Sequence, residues 1–255
     1  MDTWQCDYNN HLNVQFYFGF FDEAAAFFAV AEDRAPVEHA TRHVRYHAEL
    51  ASGDAVSVTS ERIGDHAVVH RLWAADTGRL SATALDTFGA GLDGVPEEAA
   101  PRSLPAAPAG PDTMDDRLAE GRAVVSCMSV VEVGHCDARG MTDRWHIARF
   151  SSAAPTMWAF AGFGKDVQRE RGLGTVAVEM KLTPIRRPRP GDLLVNVTAP
   201  VAHARKTVTF RHALVDRRTG AVAAMGEVTA LLMDLKARRA VDLPLDRLAF
   251  TPDGA

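Results

Sequence analysis

The hydrophobic and polar positions of the chain predict two helical regions, each followed by a series of strands. From Val14 to Phe28 almost every residue is apolar, and a helix that is apolar all round is expected to be buried. Between Thr41 and Leu92, apolar and polar residues alternate in segments near 41–50, 55–63, 66–75 and 80–92. Alternation with a period of two is typical of strands, and the short turns between the segments favour an antiparallel meander.

The second half repeats this order after a proline-rich stretch. Residues 94–120 carry five of the 13 prolines among alanine and acidic residues, and this composition predicts an extended linker. An apolar strand near 123–133 and a helix near 143–161 follow, and Pro155 should kink or interrupt that helix because it removes a backbone donor. Later strands are predicted near 175–183, 192–200, 205–215 and 222–235. The predicted fold class is therefore α+β, with a long helix and an antiparallel sheet in each unit.

Matching residues at corresponding positions support an internal repeat. The matching pairs are Cys6–Asp7 with Cys136–Asp137, Asn13 with Asp143, Phe20 with Phe150, and Gly53–Asp54 with Gly191–Asp192. We interpret the chain as one unit used twice, with a first unit at 1–93, the linker at 94–120, and a second unit with a C-terminal tail at 121–255. Only six residues precede Asp7, so either the first unit lacks an opening strand or the true start lies upstream of Met1.

Composition and charge argue against several classes of protein. The 255 residues are 47% hydrophobic and 24% charged, the balance of a soluble globular protein with room for two cores. No apolar run long enough to span a bilayer is free of charges, so no membrane span is expected. A net charge of −5 gives no general attraction for nucleic acid. Three cysteines and an N-terminus without the zones of a secretion signal predict a cytoplasmic location.

The polar turn before the first helix carries the strongest chemical candidates. Asp7 is expected beside the free N–H groups of the helix start, where it could attack a carbonyl or activate a water while those donors stabilise the oxyanion. His11 could orient this carboxylate or protonate a leaving group. The alternatives are structural, because Asp7 and Asn13 could cap the helix and His11 could bond within the turn. Asp137 has the same two interpretations as Asp7.

Four other polar positions also have a structural and a functional interpretation. Glu23 lies in the middle of the apolar helix, so it is either a second active-site carboxylate or the partner of an arginine. His43 and His47 share a strand face and could approach a metal, but no carboxylate or cysteine at ligand spacing accompanies them. An exposed polar face without a metal is therefore favoured. Cys136 is interpreted as structural, because adjacent residues of an extended chain do not face each other.

The turn and the helix together resemble a known signature. The run Asp-Tyr-Asn-Asn-His-Leu-Asn at 7–13, followed by an aromatic helix with Phe-Asp-Glu-Ala at 21–24, resembles the Asp-x-x-Gly-His-x-Asn signature of the hotdog-fold acyl-CoA thioesterases, the 4-hydroxybenzoyl-CoA thioesterase-like group. The segments at 174–179, 190–192 and 210–212 are similar to later strands of this family. The resemblance implies a tandem hotdog, in which each helix is wrapped by an antiparallel sheet and the two units form an intrachain pseudo-dimer.

The activity that this resemblance implies is hydrolysis of an acyl-CoA or acyl-carrier-protein thioester to the free acid. Asp7 matches the catalytic aspartate of the family, as nucleophile or general base, and the N–H of Val14 matches the oxyanion donor. Asn10 replaces the glycine of the signature, and Asn tolerates positive φ better than most residues. In the second unit Met141 and Asp143 replace the histidine and the asparagine. We therefore predict two unequal sites, with the site of Asp7 the more active one.

The remaining predictions concern substrate and partners. The predicted site comprises the catalytic candidates Asp7, His11, Asn13 and Asp137, the helix-start donor of Val14, and the substrate-binding candidates Phe16, Tyr17, Glu23, Arg186, Arg187 and Arg189. The three arginines could meet the phosphates of coenzyme A, or could form a solvated loop at a strand end. No metal, and no cofactor other than the coenzyme A of the substrate, is predicted. The expected partner is a small acyl thioester rather than nucleic acid or a membrane, in a homo-oligomer of pseudo-dimers. Two alternatives stay open: a dehydratase, isomerase or cyclase of the same fold, and a non-catalytic acyl-CoA-binding protein.

Overall fold

The computed structural model describes residues 1–7, 10–35, 37–89, 91–243 and 250. The first unit contains a 3₁₀ turn at Thr3–Gln5, helix α1 at Val14–Ala31, and strands β1 at Thr41–Tyr46, β2 at Val56–Ile63, β3 at Ala67–Ala74 and β4 at Arg79–Thr87. The predicted helix and its four strands are all present, although β1 and β4 end earlier than predicted.

The second unit repeats this plan with a helix that is broken into pieces. Its elements are α2 at Asp115–Ala119, β5 at Val124–Val130, a 3₁₀ turn at Val133–His135, β6 at Cys136–Asp137, β7 at Gly140–Met141, α3 at Asp143–Ser151, α4 at Ala154–Phe160, α5 at Lys165–Arg171, β8 at Leu173–Pro184, β9 at Leu193–His203, β10 at Thr207–Asp216, β11 at Val222–Asp234 and β12 at Arg239–Ala240. Pro155 lies in the first turn of α4. The helix is therefore interrupted where the sequence predicts an interruption.

The long strands of both units form one continuous antiparallel sheet. The strand order is β2-β3-β4-β1-β8-β11-β10-β9-β5, and β12 pairs with β11. The units meet where β1 pairs with β8, with Arg42 opposite Leu182 and Val44 opposite Met180. Helix α1 packs beside α3, and each helix contacts the strands of its own unit. The predicted arrangement of two helix-and-sheet units as an intrachain pseudo-dimer is therefore present.

Aromatic residues from both helical regions and the sheet fill the core between them. Its largest fully buried aromatic members are Phe18, Phe21, Phe150, Trp158, Phe163 and Phe210. The prediction that α1 is buried on all sides is wrong, because Phe27 is 78% exposed and Val30 is 74% exposed. A helix that lies on a sheet buries the side that faces the sheet and the neighbouring helix, and its outer side stays exposed.

The proline-rich segment at 94–120 is bonded to the sheet rather than hanging free. Glu179 on β8 accepts hydrogen bonds from the N–H groups of Arg102 and Ser103 at 2.9 and 2.8 Å. The same carboxylate holds His43, which is buried, whereas His47 is exposed. The prediction of an exposed polar face is therefore wrong for His43, because this segment covers the sheet where β1 meets β8.

By length and composition alone, α1 is apolar enough to cross a membrane, although it carries Asp22 and Glu23. It is the only helix of this kind in the part of the chain that the structure describes. In the structure α1 packs against α3, β2 and β3, as the helix of a folded domain does.

Candidate functional site

The turn before α1 presents Asp7 at the surface, in contact with His11, as the sequence predicts. The Asp7 N–H donates to the carbonyl of His11 at 2.8 Å, and the His11 N–H donates to Oδ1 of Asp7 at 3.0 Å. Asn10 has a φ of 65°, the left-handed conformation that Asn adopts more readily than most residues. Asn10 therefore forms the turn that the signature builds with glycine.

The first turn of α1 has one backbone donor that the chain does not use. Asn13 caps the helix, because its Oδ1 accepts the N–H of Gln15 at 3.3 Å and its carbonyl accepts the N–H of Phe16 at 3.0 Å. Among the described residues, the N–H of Val14 has no acceptor. A free N–H at the positive end of a helix stabilises a developing negative charge. Asp7 and the oxyanion donor expected at Val14 thus belong to one helix start.

Glu49 links this turn to two exposed arginines. Nε2 of His11 lies 3.4 Å from Oε2 of Glu49, and the Glu49 carboxylate also binds the guanidinium of Arg238. Nη2 of Arg79 donates to the carbonyl of Glu49 at 2.7 Å. Sequence reasoning did not find these two arginines, because they are far from Asp7 in the chain and the basic cluster at 186–189 is the stronger local signal.

The turn before α3 presents Asp137, but its carboxylate is held by its own turn. Oδ1 accepts the N–H groups of Arg139 at 2.7 Å and Gly140 at 3.2 Å, and Oδ2 accepts the guanidinium of Arg139 at 2.8 and 3.1 Å. Burial works to raise the pKa of Asp137, and the Arg139 bonds outweigh it and lower that pKa. Gly140 is required here, because it has a φ of 130° and a Cβ would lie 2.8 Å from both Arg187 and Pro188.

The start of α3 differs from that of α1 at the position that corresponds to Val14. The N–H of Arg144 donates to Oδ2 of Asp22 at 3.2 Å, and Oδ1 of Asp22 accepts Nη1 of Arg42 at 2.6 Å. An internal carboxylate therefore occupies the place where an oxyanion would have to bind. The two helix starts therefore differ in whether this backbone donor is already used.

Asp143, which replaces the capping asparagine, is part of a buried ionic group. Its carboxylate is fully buried and lies 2.9 Å from Nε2 of His39, 3.0 Å from Nη1 of Arg187 and 3.2 Å from Nη1 of Arg42. Arg42 also binds Asp86 through two bonds of 2.7 Å. An aspartate in place of the asparagine thus converts a helix cap into the partner of three basic side chains.

Burial and charge act in opposite directions on the carboxylates of this group. Burial, together with the nearby Asp143, raises the pKa of Asp22 to about 6. Burial would also raise the pKa of Asp86, but the Arg42 guanidinium outweighs it and holds that pKa well below its usual range. Sequence reasoning missed this group. The sequence does contain a signal for it. Arg42 is two residues from the buried Val44, and Asp86 is two residues from the buried Ala84, so each charged residue shares a strand face with a buried apolar one.

A cavity of about 540 Å³ opens above this ionic group. It is lined by the second half of α1, by β3 and β4, and by the turn of Asp137 to Arg139 from the other unit. Its floor includes Asp22, His39, Arg42, His70 and Asp86. Among the described residues that line it, Asp137 is present and Asp7 is not.

Other predicted site residues lie elsewhere. Phe16 and Tyr17 are buried core residues, and Tyr17 packs edge-on against Tyr46 at 5.1 Å. Glu23 is exposed, so the argument that burial demands a partner does not hold for it. The carboxylate of α1 that has an arginine partner is the half-buried Asp22 instead, one residue earlier.

The predicted arginine cluster is divided among internal partners. Arg186 binds Asp192 at 2.9 Å and also Asp216, while Arg187 binds Asp143 and lines the cavity. Arg189 is exposed. In the described part of the chain, no group of three or more His, Cys, Asp or Glu side chains is arranged to hold a metal ion.

Comparison with known proteins gives a family match over part of the chain and a shared fold over most of it. Residues 131–250 match the family model of the thioesterase-like superfamily. The structure is similar to an acyl-ACP thioesterase from Bacteroides thetaiotaomicron, with a TM-score of 0.61 and 12% identity over 91% of this chain and 94% of that one. It is also similar to a 12:0-ACP thioesterase from Umbellularia californica, with a TM-score of 0.57 and 11% identity over 91% of each chain. A comparison with curated protein sequences finds no match.

These matches test two of the predictions. Structures that cover 91% of the chain confirm the predicted fold class, and the family match confirms the predicted resemblance to hotdog-fold thioesterases.

Proposed function

We propose that this chain, a tandem hotdog protein of the thioesterase-like superfamily, hydrolyses an acyl thioester at the turn of Asp7. The family match supports a hydrolase that acts on thioesters as the class of enzyme. The choice of site is our inference from the geometry of the two helix starts.

The observation that carries this choice is the free N–H of Val14. A thioester carbonyl needs a donor where negative charge develops on its oxygen. The N–H of Val14 has no acceptor among the described residues, whereas the corresponding N–H of Arg144 already binds Asp22. A substrate at α1 would meet an unused donor, and a substrate at α3 would have to displace a carboxylate.

The chemistry assigned to Asp7 is the addition of an oxygen nucleophile to the thioester carbon. Acting as a general base, Asp7 takes a proton from water while the water oxygen bonds to that carbon and the carbonyl oxygen becomes negative. Collapse of this intermediate breaks the carbon–sulfur bond, and the thiolate leaves and is protonated. Acting as a nucleophile, Asp7 forms an anhydride that water then hydrolyses. Both routes need the same carboxylate and the same donor, and neither needs a metal or a separate cofactor.

The carrier arm of the substrate carries phosphate groups, and Arg79 and Arg238 are our candidates to bind them. Both are exposed and both contact Glu49 beside His11. Arg186 and Arg187 are weaker candidates because they are less exposed and each binds two carboxylates. Replacing either Arg79 or Arg238 should raise KM more than it lowers kcat, because the contact is remote from the reacting carbon.

The test is a matched pair of substitutions, Asp7→Asn and Asp137→Asn, assayed over a panel of acyl-CoA and acyl-carrier-protein thioesters by release of free thiol. Asparagine keeps the shape and the acceptor oxygen of each turn, so folding should be preserved and circular dichroism can verify it. We expect Asp7→Asn to lower kcat at least about 100-fold, the typical contribution of a positioned acid or base. The kcat of Asp137→Asn should stay within about threefold of that of the parent, because in our proposal this turn does not stabilise the transition state.

The opposite pattern, with turnover lost in Asp137→Asn and kept in Asp7→Asn, would place hydrolysis in the cavity and refute our choice of site. Product mass spectra cover the two alternative activities. Loss of water with the thioester retained would indicate a dehydratase, and an unchanged thioester bound to the protein would indicate a binding protein. Cytoplasmic location and assembly of pseudo-dimers stay predictions of the sequence.

A further inference from the structure

We propose that the outer edge of β5 is an interaction surface for a second copy of this chain, whose own β5 pairs with it as an antiparallel strand about a two-fold axis. β5 is the last strand of the long sheet, and among the described residues it pairs with β9 alone. This contact would build the homo-oligomer of pseudo-dimers that the sequence predicts. It does not depend on which turn hydrolyses the thioester.

The backbone of β5 has unused groups along this edge. The N–H of Val131 donates to the carbonyl of Asp192, and the carbonyl of Val131 accepts the N–H of Gly191, both at 2.9 Å. Successive residues of a strand point their N–H and C=O groups to opposite sides, so those of Met128 and Val130 point away from β9. No described residue bonds to them on that side. An edge of this kind is a template for another strand.

The side chains along the same edge are apolar and exposed. Between Val124 and Val130, β5 has no charged residue and no proline, although these are the residues with which proteins normally protect an edge strand. Met128 and Val130 lie opposite Val195 and Leu193 of β9 and are exposed, Met128 at 75%. A contact that removes these side chains from water is therefore favourable.

One register lets two copies satisfy each other. With Ser129 on the two-fold axis, Met128 lies opposite the partner's Val130, and Val130 lies opposite the partner's Met128. These are the residues with free backbone groups, so each pair can exchange both of its N–H···O bonds. Their exposed side chains then meet on one face of the joined sheets. Glu132 faces the partner's Ser126 in this register, so no like charges are opposed.

The other edge of the sheet does not fit this surface. The exposed residues of β2 are Ser57, Thr59 and Glu61, and Glu61 is paired with Arg71 at 2.8 Å. Pairing of β5 with a partner's β2 would place apolar side chains against these polar ones. It would also leave an edge free at each end and extend into a filament, whereas pairing of β5 with itself closes at two copies.

The test is sedimentation equilibrium of the full-length protein at about 1 to 200 µM, a range suited to a small interface. Met128→Lys places a charge in β5, and Phe27→Lys is the matched control, because Phe27 is 78% exposed on α1. Both changes are at the surface, so folding should be preserved, and circular dichroism can verify it. We expect the parent and Phe27→Lys to form a dimer. Met128→Lys should raise the dissociation constant at least about 100-fold, because each copy loses an apolar contact with the other.

A cross-link tests the register. Opposite residues of a non-hydrogen-bonded antiparallel pair have Cα atoms about 4.5 Å apart, which is within the range of a disulfide. In a Cys127→Ser background treated with the thiol oxidant diamide, Ser129→Cys should therefore give a covalent dimer. Ser126→Cys, which faces the partner's Glu132, should give none.

A parent that stays monomeric over the whole range, or a dimer that Phe27→Lys weakens as much as Met128→Lys does, would overturn the inference. Assemblies larger than a dimer that Met128→Lys removes would also overturn it, because the self-pairing of β5 closes at two copies. A dimer that is cross-linked by Ser126→Cys and not by Ser129→Cys would show that the register is wrong.

Discussion

His212 in β10 is a buried histidine whose protonation opposes folding. Its side chain is fully buried, stacks on Phe150 with ring centroids 4.9 Å apart, and bonds through Nδ1 to Oγ1 of Thr198 at 2.9 Å. Burial lowers the pKa of His212 from 6.5 to about 3. Below pH 6.5 the unfolded chain takes up a proton on this ring, and the folded chain does so only near pH 3. The free energy of unfolding therefore falls as the pH falls through this interval.

The substitution His212→Phe removes this titration and keeps an aromatic ring against Phe150. At pH 8 the variant should be less stable by about 1 kcal/mol, because the hydrogen bond to Thr198 is lost. At pH 5 the histidine itself destabilises the parent by about 2 kcal/mol, since the unfolded ring is mostly protonated and each pH unit is worth about 1.4 kcal/mol. The variant should then be the more stable protein, by about 1 kcal/mol. The two stability curves should cross near pH 6.

The assay is urea unfolding, followed by tryptophan fluorescence at several pH values between 5 and 8. Thr198→Val is the matched control, because it removes the same hydrogen bond and leaves the histidine in place, so its stability difference from the parent should not vary with pH. A difference between His212→Phe and the parent that is the same at pH 5 and pH 8 would refute the reasoning, since the ring would then titrate equally in the folded and unfolded chains.

Two further predictions concern packing and buried charge. Gly226→Ala should cost about 1 to 3 kcal/mol by overpacking, because its Cβ would lie 2.5 Å from the fully buried ring of Phe150. Gly174→Ala should cost less, because its Cβ meets the end of the flexible Leu235 side chain. Thermal unfolding of the pair compares them, and equal costs would contradict this account. Arg42→Met should lower stability by about 3 to 5 kcal/mol in urea unfolding, because it leaves buried carboxylates without their partner. An unchanged stability would contradict this prediction, because it would mean that water or protonation offsets the cost of the unpaired carboxylates.

The second unit repeats the strand order of the first, but not the residue types that the strands bury. His70 pairs with Ala84 in the first unit, and His212 pairs with Gly226 in the second. Two residues further along, the first unit has Asp86 and the second has a valine at position 228. One unit therefore has a polar cavity where the other has an aromatic core, although both have the same strand order.

The pattern of apolar and polar residues determined the main helices and the long strands by itself, because each element needs one face for the core and its period shows in the sequence. The short elements α2, α5 and β12 were not predicted, and α2 lies inside the predicted linker. The break at Pro155, the turn at Asn10 and the unequal signatures of the two units were also readable locally. These features depend on residues that are close together in the chain.

Only the tertiary structure decided which helix start keeps a free donor. Asp22 reaches the N–H of Arg144 across 122 positions of the chain, and its other oxygen binds Arg42 from a neighbouring strand. No local pattern encodes such a contact, because it arises when α1 and α3 pack side by side on the shared sheet. The same packing exposes the outer side of α1, since the sequence specifies how apolar a helix is but not how many layers surround it.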